Sequence, residues 1–302
     1  MPTKIILNPN ADLGHGADYF NVIKEMIGSL DGVDLALTER SGHAKALAQQ
    51  ALEDGYDILV AAGGDGTINE VINGIMTSGK SGVKLGVIPI GSGNDFAHSL
   101  GVSNDVPTAV RNISGGRTRT VDLGLLEDDK GRQRYFANNL GVGFDANVII
   151  RTQDITRLRG FPKYLAAVLT TLALDYEPLH LHVRYDEEEI VDYETLFLYM
   201  GVGIRGGGGF LLTPDALHDD DLIDSCTVPM LGRLRLVSLI SSAVKGTHVH
   251  TPYPQMRRNK QIVINSIEAM PIQIEGEIYA IPEDGIHQIM VTSLPAALEV
   301  IV

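Results

Sequence analysis

The chain has 302 residues, 44% hydrophobic and 21% charged, enough for two modest domains with their own cores and without a long stretch of disordered composition. A formal net charge of −14 repels nucleic-acid backbones, and with Trp absent no base-stacking platform is expected, so nucleic-acid binding is excluded; any contact with an anionic membrane must be a local patch. The single cysteine, Cys226, rules out an intrachain disulfide, and no apolar run is long enough for a signal peptide or a membrane span, so the expected setting is the cytoplasm.

The first third alternates strand and helix signals. Lys4 to Leu7 is a short apolar strand, and Phe20, Ile23, Ile27 and Leu30 then recur at helical spacing. Val33 to Leu37 reads as a second strand, His43 to Glu53 as an Ala-rich helix, and Asp57 to Ala62 as a buried strand ending on glycines. A helix from Thr67 to Met76 and a strand from Lys84 to Pro89 follow. This rhythm predicts a parallel sheet covered by helices on both faces. After about residue 120 strands dominate: Val121 to Leu126, Tyr135 to Phe144, Leu179 to Tyr185, Thr195 to Gly203, Leu222 to Val228, Ile262 to Ile267, Ile272 to Ile274 and Ile289 to Thr292. Helical patterns at Phe161 to Leu174 and Arg233 to Lys245 interrupt them. An antiparallel sheet or sandwich is expected there. The acidic run Asp186 to Glu189 reads as a solvated hairpin turn.

Two glycine turns carry the chemistry. Gly63-Gly64-Asp65-Gly66-Thr67 lies after a buried strand and before a helix, where glycines allow close approach and free N–H groups favour phosphate. Asp65 is placed to hold a nucleotide-borne metal; as a bland alternative it caps the helix. A second strand runs into Gly91-Ser92-Gly93-Asn94-Asp95-Phe96, where Ser92 can donate to a phosphate oxygen. No P-loop sequence is present, and Gly201-Val-Gly203-Ile-Arg-Gly206 leads into more glycines rather than a helix, so it is no dinucleotide fingerprint. Cys226 sits in an apolar strand and reads as a core residue.

Gly63-Gly-Asp-Gly-Thr-Ile-Asn-Glu70 with Pro89-Ile-Gly-Ser-Gly-Asn-Asp-Phe96 resembles the diacylglycerol kinase catalytic-domain family, which includes soluble bacterial lipid kinases and the sphingosine and ceramide kinases. Asn8-Pro9, Thr38, Asn138 to Asp145, Gly207 to Asp220 and Glu275-Gly276-Glu277 extend the resemblance along nearly the whole chain. It implies an α/β nucleotide-binding domain over residues 1–122 and an antiparallel β-sandwich lipid domain over 123–302, with the last residues returning to the first domain and the active site in the cleft between the two. It implies ATP contacts at Asn8, Pro9, Asn10, Thr38, Gly63, Gly64, Asp65, Gly66, Thr67, Ile68, Asn69 and Ser92. It implies Glu277 as general base, a catalytic Asp65, and Mg²⁺ held by the Asp220 carboxylate with backbone oxygens of Leu217 and Leu222. The lipid substrate implies transient contact with a membrane surface, for which the apolar face of Phe161 to Leu174 is one candidate; a homodimer is compatible.

Three departures stand out. Glu275 replaces the family's Asp, adding a methylene beside Glu277 while keeping the charge. Asp221 stands where the family carries Gly, although non-glycine residues resist positive φ. The first turn reads Asn8-Pro-Asn-Ala-Asp12, putting a carboxylate near the expected phosphates. Two rival readings remain: an NAD kinase, which shares the Gly-Gly-Asp-Gly-Thr turn, and a non-catalytic nucleotide- or lipid-binding protein.

Overall fold

Apolar strands separated by helices pair in parallel, since each helix carries the chain back to the start of the next strand. This holds for the first of two units into which the chain divides, Met1–Val121 with Ala296–Val302; the second is Asp122–Pro295. The structure is a computed structural model that describes the chain apart from residues 29–30, 116, 159 and 189 and the side chains of Leu13 and Ser114. Leu30 and Glu189, both used in the sequence reading, therefore lie outside the described residues.

In the first unit, strands β1 (Thr3–Leu7), β2 (Val33–Leu37), β3 (Ile58–Gly63) and β4 (Lys84–Pro89) alternate with helices α1 (Tyr19–Ile27), α2 (His43–Glu53), α3 (Asp65–Ser78), α4 (Asp95–Leu100) and α5 (Val106–Gly115). The strands are parallel in the order β2-β1-β3-β4, and Glu299 and Val300 add a parallel partner beside Lys84 and Leu85. Side chains alternate across the sheet. Ile5, Leu7 and Val60 pack with Ile23 and Ile27 of α1 and Val110 of α5. Ile6, Leu59 and Ala61 point to the opposite face and are fully buried, and α2 and α3 pack against each other.

The second unit takes up β5 (Thr118–Asp128), which starts in the first, then β6 (Gln133–Phe136), β7 (Asn139–Gly143), α6 (Phe144–Thr152), α7 (Gly160–Leu174), β8 (Leu179–Tyr185), β9 (Val191–Gly201) and β10 (Ile223–Pro229). It continues with α8 (Arg233–Ala243), β11 (Gln255–Asn259), β12 (Gln261–Ser266), β13 (Ile272–Ile274), β14 (Glu277–Ala280) and β15 (Gln288–Ile301). Neighbours run antiparallel in the order β14-β13-β7-β9-β8-β12-β15, with β10 joining β9 to β11. β9 is buried on both faces over its second half. Leu198 and Met200 enter one core; Leu196, Phe197 and Tyr199 enter another beneath α6, α7 and α8. The whole is a mixed architecture, parallel strands first and an antiparallel β-rich unit second.

Three local outcomes differ from the sequence reading. The run Tyr135 to Phe144 is not one strand: Gly143, at φ 90, turns the chain out of β7 into α6. The short strands β11 and β14 carry too few residues to show a period, whereas α5, absent from the sequence expectation, does carry one: Val106, Ala109, Val110 and Ile113 recur at helical spacing and pack into the core of the first unit. The acidic turn is anchored as well as solvated, because the Asp186 carboxylate accepts from the Asn259 amide (2.9 Å) and the N–H groups of Lys260 and Gln261 (2.9 and 2.8 Å). Among the described residues no helix is long and apolar enough to cross a membrane.

Candidate active site

The register of the first sheet sets one edge of functional residues. Leu7 lies opposite both Leu37 and Ala62, and Gly63 opposite Pro89, so Asn8, Thr38, Gly64 and Ile90 leave their strands side by side. Backbone bonds hold the row: Asn8 N–H to Ala62 O (2.9 Å), Thr38 N–H to Leu7 O (2.9 Å), and Ile90 N–H to Gly63 O (2.9 Å). In a parallel sheet this carboxyl edge is where ligands bind.

The glycine turns need their glycines because they touch. A Cβ on Gly91 would stand 2.5 Å from Gly64 Cα, and one on Gly63 would stand 2.5 Å from Thr67 Oγ1. α3 begins at Asp65 with no side-chain cap, so its first N–H groups have no partner within the helix. The Asn8 amide donates to the Thr67 hydroxyl (3.0 Å), which keeps its own hydrogen for another acceptor. Asn8 Oδ1 accepts from Asn10 N–H (2.9 Å), closing the first turn. Gly16 packs over that turn, since its Cβ would fall 2.3 Å from Asn8 O, while Asp12 occupies a positive φ of 47. Ser92 is exposed beside these groups. Ile68 and Asn69 are buried, and Asn69 Oδ1 accepts from the Asn73 amide (3.2 Å).

Two carboxylates of the motif are structural ties. Asp65 Oδ1 accepts from Phe96 N–H (3.1 Å), linking the start of α3 to the start of α4; burial pushes the Asp65 carboxyl up against these N–H contacts. Asn94, at φ 53, accepts from Gly91 N–H (2.8 Å) and completes the second turn. Glu70 accepts from the N–H groups of Gly42 (2.7 Å) and Ala44 (2.9 Å), capping α2 and fixing the loop that follows Thr38. Its spacing from Thr67 gave no hint of this, because the partner lies in another helix.

In the second unit the hairpin β13–β14 turns at Glu275 (φ 54) and Gly276 (φ 74), two consecutive left-handed residues of the kind tight hairpins use. The Glu275 carboxylate accepts from the N–H groups of Ala137 (2.7 Å) and Asn138 (2.8 Å). The added methylene supplies a brace rather than a displacement. Glu277 follows directly, partly exposed, with Arg134 Nη2 3.3 Å from Oε2. Gln273 Oε1 accepts from Gly276 N–H (2.8 Å), and its amide donates to Asn139 Oδ1 (3.0 Å) and Asp145 Oδ2 (2.7 Å). Tyr164 donates to Asp145 Oδ1 (2.5 Å). Arg134 and Gln273 escaped the sequence reading, since their pairing depends on strand register.

The loop expected to hold Mg²⁺ is also braced. Asp221 adopts the positive φ of 65 that Gly would otherwise supply, and its N–H donates to Asp122 Oδ2 (2.7 Å). Asp220 Oδ1 accepts from Leu222 N–H (3.1 Å), while Oδ2 pairs with Arg258. A carboxylate and the carbonyls of Leu217 and Leu222 are hard oxygen donors that suit Mg²⁺ in kind, but the Asp220 carboxylate is already engaged by Arg258 and Leu222 N–H. Among the described residues no cluster of three or more His, Cys, Asp or Glu stands ready for a metal. His180 and His182 each face a carboxylate instead, Glu268 at 2.7 Å and Asp192 at 2.6 Å. Cys226 is fully buried, which raises its thiol to about 12, so it is a core residue. The glycines from 206 to 209 pack beneath rings: Cβ atoms on Gly207 and Gly209 would meet Tyr164 (2.9 Å) and Phe161 (2.7 Å).

An apolar cavity of about 50 Å³ lies between α6, α7 and α8, lined by Phe144, Val148, Val168, Phe197, Leu236 and Leu239 with Asp145 at its wall. That is room for about two waters or a few methylenes.

A parallel α/β unit whose carboxyl edge carries two glycine turns, followed by an antiparallel β-rich unit, is a fold of the diacylglycerol kinase and NAD kinase type. The model of the diacylglycerol kinase catalytic domain matches residues 2–126, and that of the YegS C-terminal NAD kinase beta sandwich-like domain matches residues 138–302. A diacylglycerol kinase of Staphylococcus carnosus is 31% identical over 80% of this chain and 76% of its own, and that of Staphylococcus haemolyticus 33% identical over 80% and 71%. The crystal structure of a diacylglycerol kinase from Bacillus anthracis superposes with a TM-score of 0.72 at 20% identity, covering 99% of this chain and 96% of that one. An NAD kinase from Archaeoglobus fulgidus in complex with ATP reaches only 0.51 at 11%, over 99% of this chain and 93% of that one, a likeness of fold alone. The chain belongs to the diacylglycerol kinase family, whose members are phosphotransferases with an alcohol acceptor.

Proposed function

We propose that the protein transfers the γ-phosphoryl group of ATP to the hydroxyl of a membrane-borne lipid alcohol, with diacylglycerol the first candidate. The observation that carries this reading is the carboxyl edge of the first sheet, where Asn8, Thr38, two touching glycine turns and an uncapped helix start converge. The ATP phosphates take the N–H groups at Gly66 and Thr67 and the hydroxyls of Thr67, Thr38 and Ser92, with Asn8 to Asn10 and Gly63 to Asn69 forming the cradle. The lipid oxygen attacks the γ-phosphorus, the bond to the β-phosphate oxygen breaks, and ADP leaves. Glu277 accepts the hydroxyl proton late, as the new bond forms.

Mg²⁺, when bound, neutralises charge near the phosphates. Asp220 and the carbonyls of Leu217 and Leu222 would hold one ion, and Asp65 would reach an ion through water. The second unit supports a lipid substrate through its apolar cavity, which shares Asp145 with the network that holds the Glu277 turn. The test offers radiolabelled ATP with NAD and a mixture of lipid alcohols in parallel. Labelled lipid is expected, and Glu277→Gln should lower kcat by about 10²–10⁴-fold while ATP still binds. Formation of NADP without labelled lipid would overturn the reading, as would ATP binding with no transfer at all.

A further inference from the structure

Glu277 is held from a neighbouring segment of the second unit. Three side-chain contacts tie the stretch from Arg132 to Asn138 to the stretch from Glu275 to Tyr279, and they run in order. Arg132 lies over the Tyr279 ring at 4.8 Å, Arg134 Nη2 stands 3.3 Å from Glu277 Oε2, and the Glu275 carboxylate accepts from the N–H groups of Ala137 and Asn138 (2.7 and 2.8 Å). One numbering rises as the other falls, so the two stretches run in opposite directions. Their strands are nevertheless paired elsewhere, β6 with β5 and β14 with β13. Residues two apart on an extended chain share a side, which puts Arg132 and Arg134 together against Tyr279 and Glu277.

The two outer contacts are firm. Arg132 Nε donates to Asp128 Oδ2 (2.6 Å), the Tyr279 hydroxyl donates to the same oxygen (2.8 Å), and the Asp128 side chain is fully buried. At the other end one Glu275 oxygen takes both backbone N–H groups. The middle pair is bracketed by these ties. Its own side chains are 31% and 45% exposed, and an ion pair so open to water adds little to stability. Stability alone therefore does not account for a pair fixed from both sides. Charges on α6, which packs against β14, are committed to other partners: Asp145 to Tyr164 and Gln273, Arg151 to Asp175. We propose that Arg134 is a positioning residue for phosphoryl transfer, fixing the orientation of Glu277 and keeping its carboxylate ionised until the hydroxyl proton arrives. The proposal rests on the reading of Glu277 as the base. A nearby cation disfavours protonation of a carboxylate, and a pre-set orientation spares entropy on the way to the transition state.

The test follows the Glu277 carboxyl carbon by NMR in the full chain labelled with ¹³C-glutamate, its signal assigned by its loss in Glu277→Gln. In parallel it measures transfer to a short-chain lipid alcohol dissolved as monomer. Arg134→Gln should raise the titration midpoint of Glu277 by about one pH unit. It should also lower kcat about tenfold and leave KM for ATP unchanged. Arg134→Lys keeps the charge, and should return the midpoint to that of wild type and recover part of kcat. Gln133→Ala, next to it on β6 but turned to Glu127 (2.6 Å), should leave midpoint and kcat as in wild type. An unmoved midpoint or a wild-type kcat in Arg134→Gln overturns the positioning role. So does a raised KM for ATP, which would make Arg134 a phosphate ligand. Equal loss of kcat in both Arg134 variants with a lowered urea midpoint also overturns it, leaving the pair a structural brace. Wild-type transfer by Glu277→Gln would instead sink the base reading itself, whatever the Arg134 variants show.

Discussion

Glu275 shows how one residue carries two opposing terms. A left-handed conformation costs a non-glycine L-residue about 1–2 kcal/mol, and Glu275 adopts it at φ 54. Its carboxylate offsets this by accepting two backbone N–H groups, at Ala137 and Asn138. Hydrogen bonds to a charged group contribute about 1.5–3 kcal/mol each where sheltered and less near solvent. Glu275→Ala keeps the strain and loses both bonds, so a loss of about 2–3 kcal/mol is expected in urea unfolding. Glu275→Gly loses the same bonds but relieves the strain, and should be about 1 kcal/mol more stable than the alanine variant. Equal stability of the two would show that φ carries no cost here. The sequence displayed the departure from Asp but not its meaning, because the reach of one methylene matters only once residues 137 and 138 are in place.

The elements that were legible are those whose own periodicity decides their state. β2, β4 and β8 fall on the residues their apolar patterns mark, and α2 on its Ala-rich face. α6 was hidden because the expected strand ran on to Phe144, whereas the positive φ at Gly143 ends β7 and α6 begins at Phe144. The motifs revealed that two glycine turns exist, whereas their contact emerges only from the β3–β4 register. That contact yields a prediction for the pair of elements. A Cβ at Gly91 would stand 2.5 Å from Gly64 Cα and 2.8 Å from Asn94 Oδ1, so the turns must part. Overpacking of this kind costs about 1–3 kcal/mol. Gly91→Ala is therefore expected to lose that much stability, and ATP affinity measured by calorimetry should fall tenfold or more if the turns form the phosphate cradle. Unchanged affinity in a destabilised variant would mean that the cradle lies elsewhere.

For the molecule as a whole, acid pairs and buried acids pull stability in opposite directions with pH. Asp105, Asp128, Asp186 and Glu268 are held low by hydrogen bonds or ion pairs, so they stabilise the fold above their ordinary range and lose that contribution on acidification. Asp145 works the other way. Burial raises its carboxyl above 3.8, against the Tyr164 hydroxyl and the Gln273 amide that favour the ionised form. Its contribution is complete below 3.8 and is lost as pH rises through its value in the fold. Wild type minus Asp145→Asn isolates this one group from the others. The variant should gain on wild type as pH rises from about 4, by at most about 1.4 kcal/mol per pH unit. A difference constant between about pH 4.5 and 7.5 would place the titration elsewhere. Asp145 lines the apolar cavity and bonds Gln273, which in turn bonds the N–H of Gly276. The charge state of this acid therefore reaches both the cavity wall and the turn before Glu277. Transfer to a soluble lipid alcohol should accordingly fall in Asp145→Asn even at the pH where that variant is the more stable protein, since one of its two donors, the Tyr164 hydroxyl or the Gln273 amide, must turn away from the new NH₂ group.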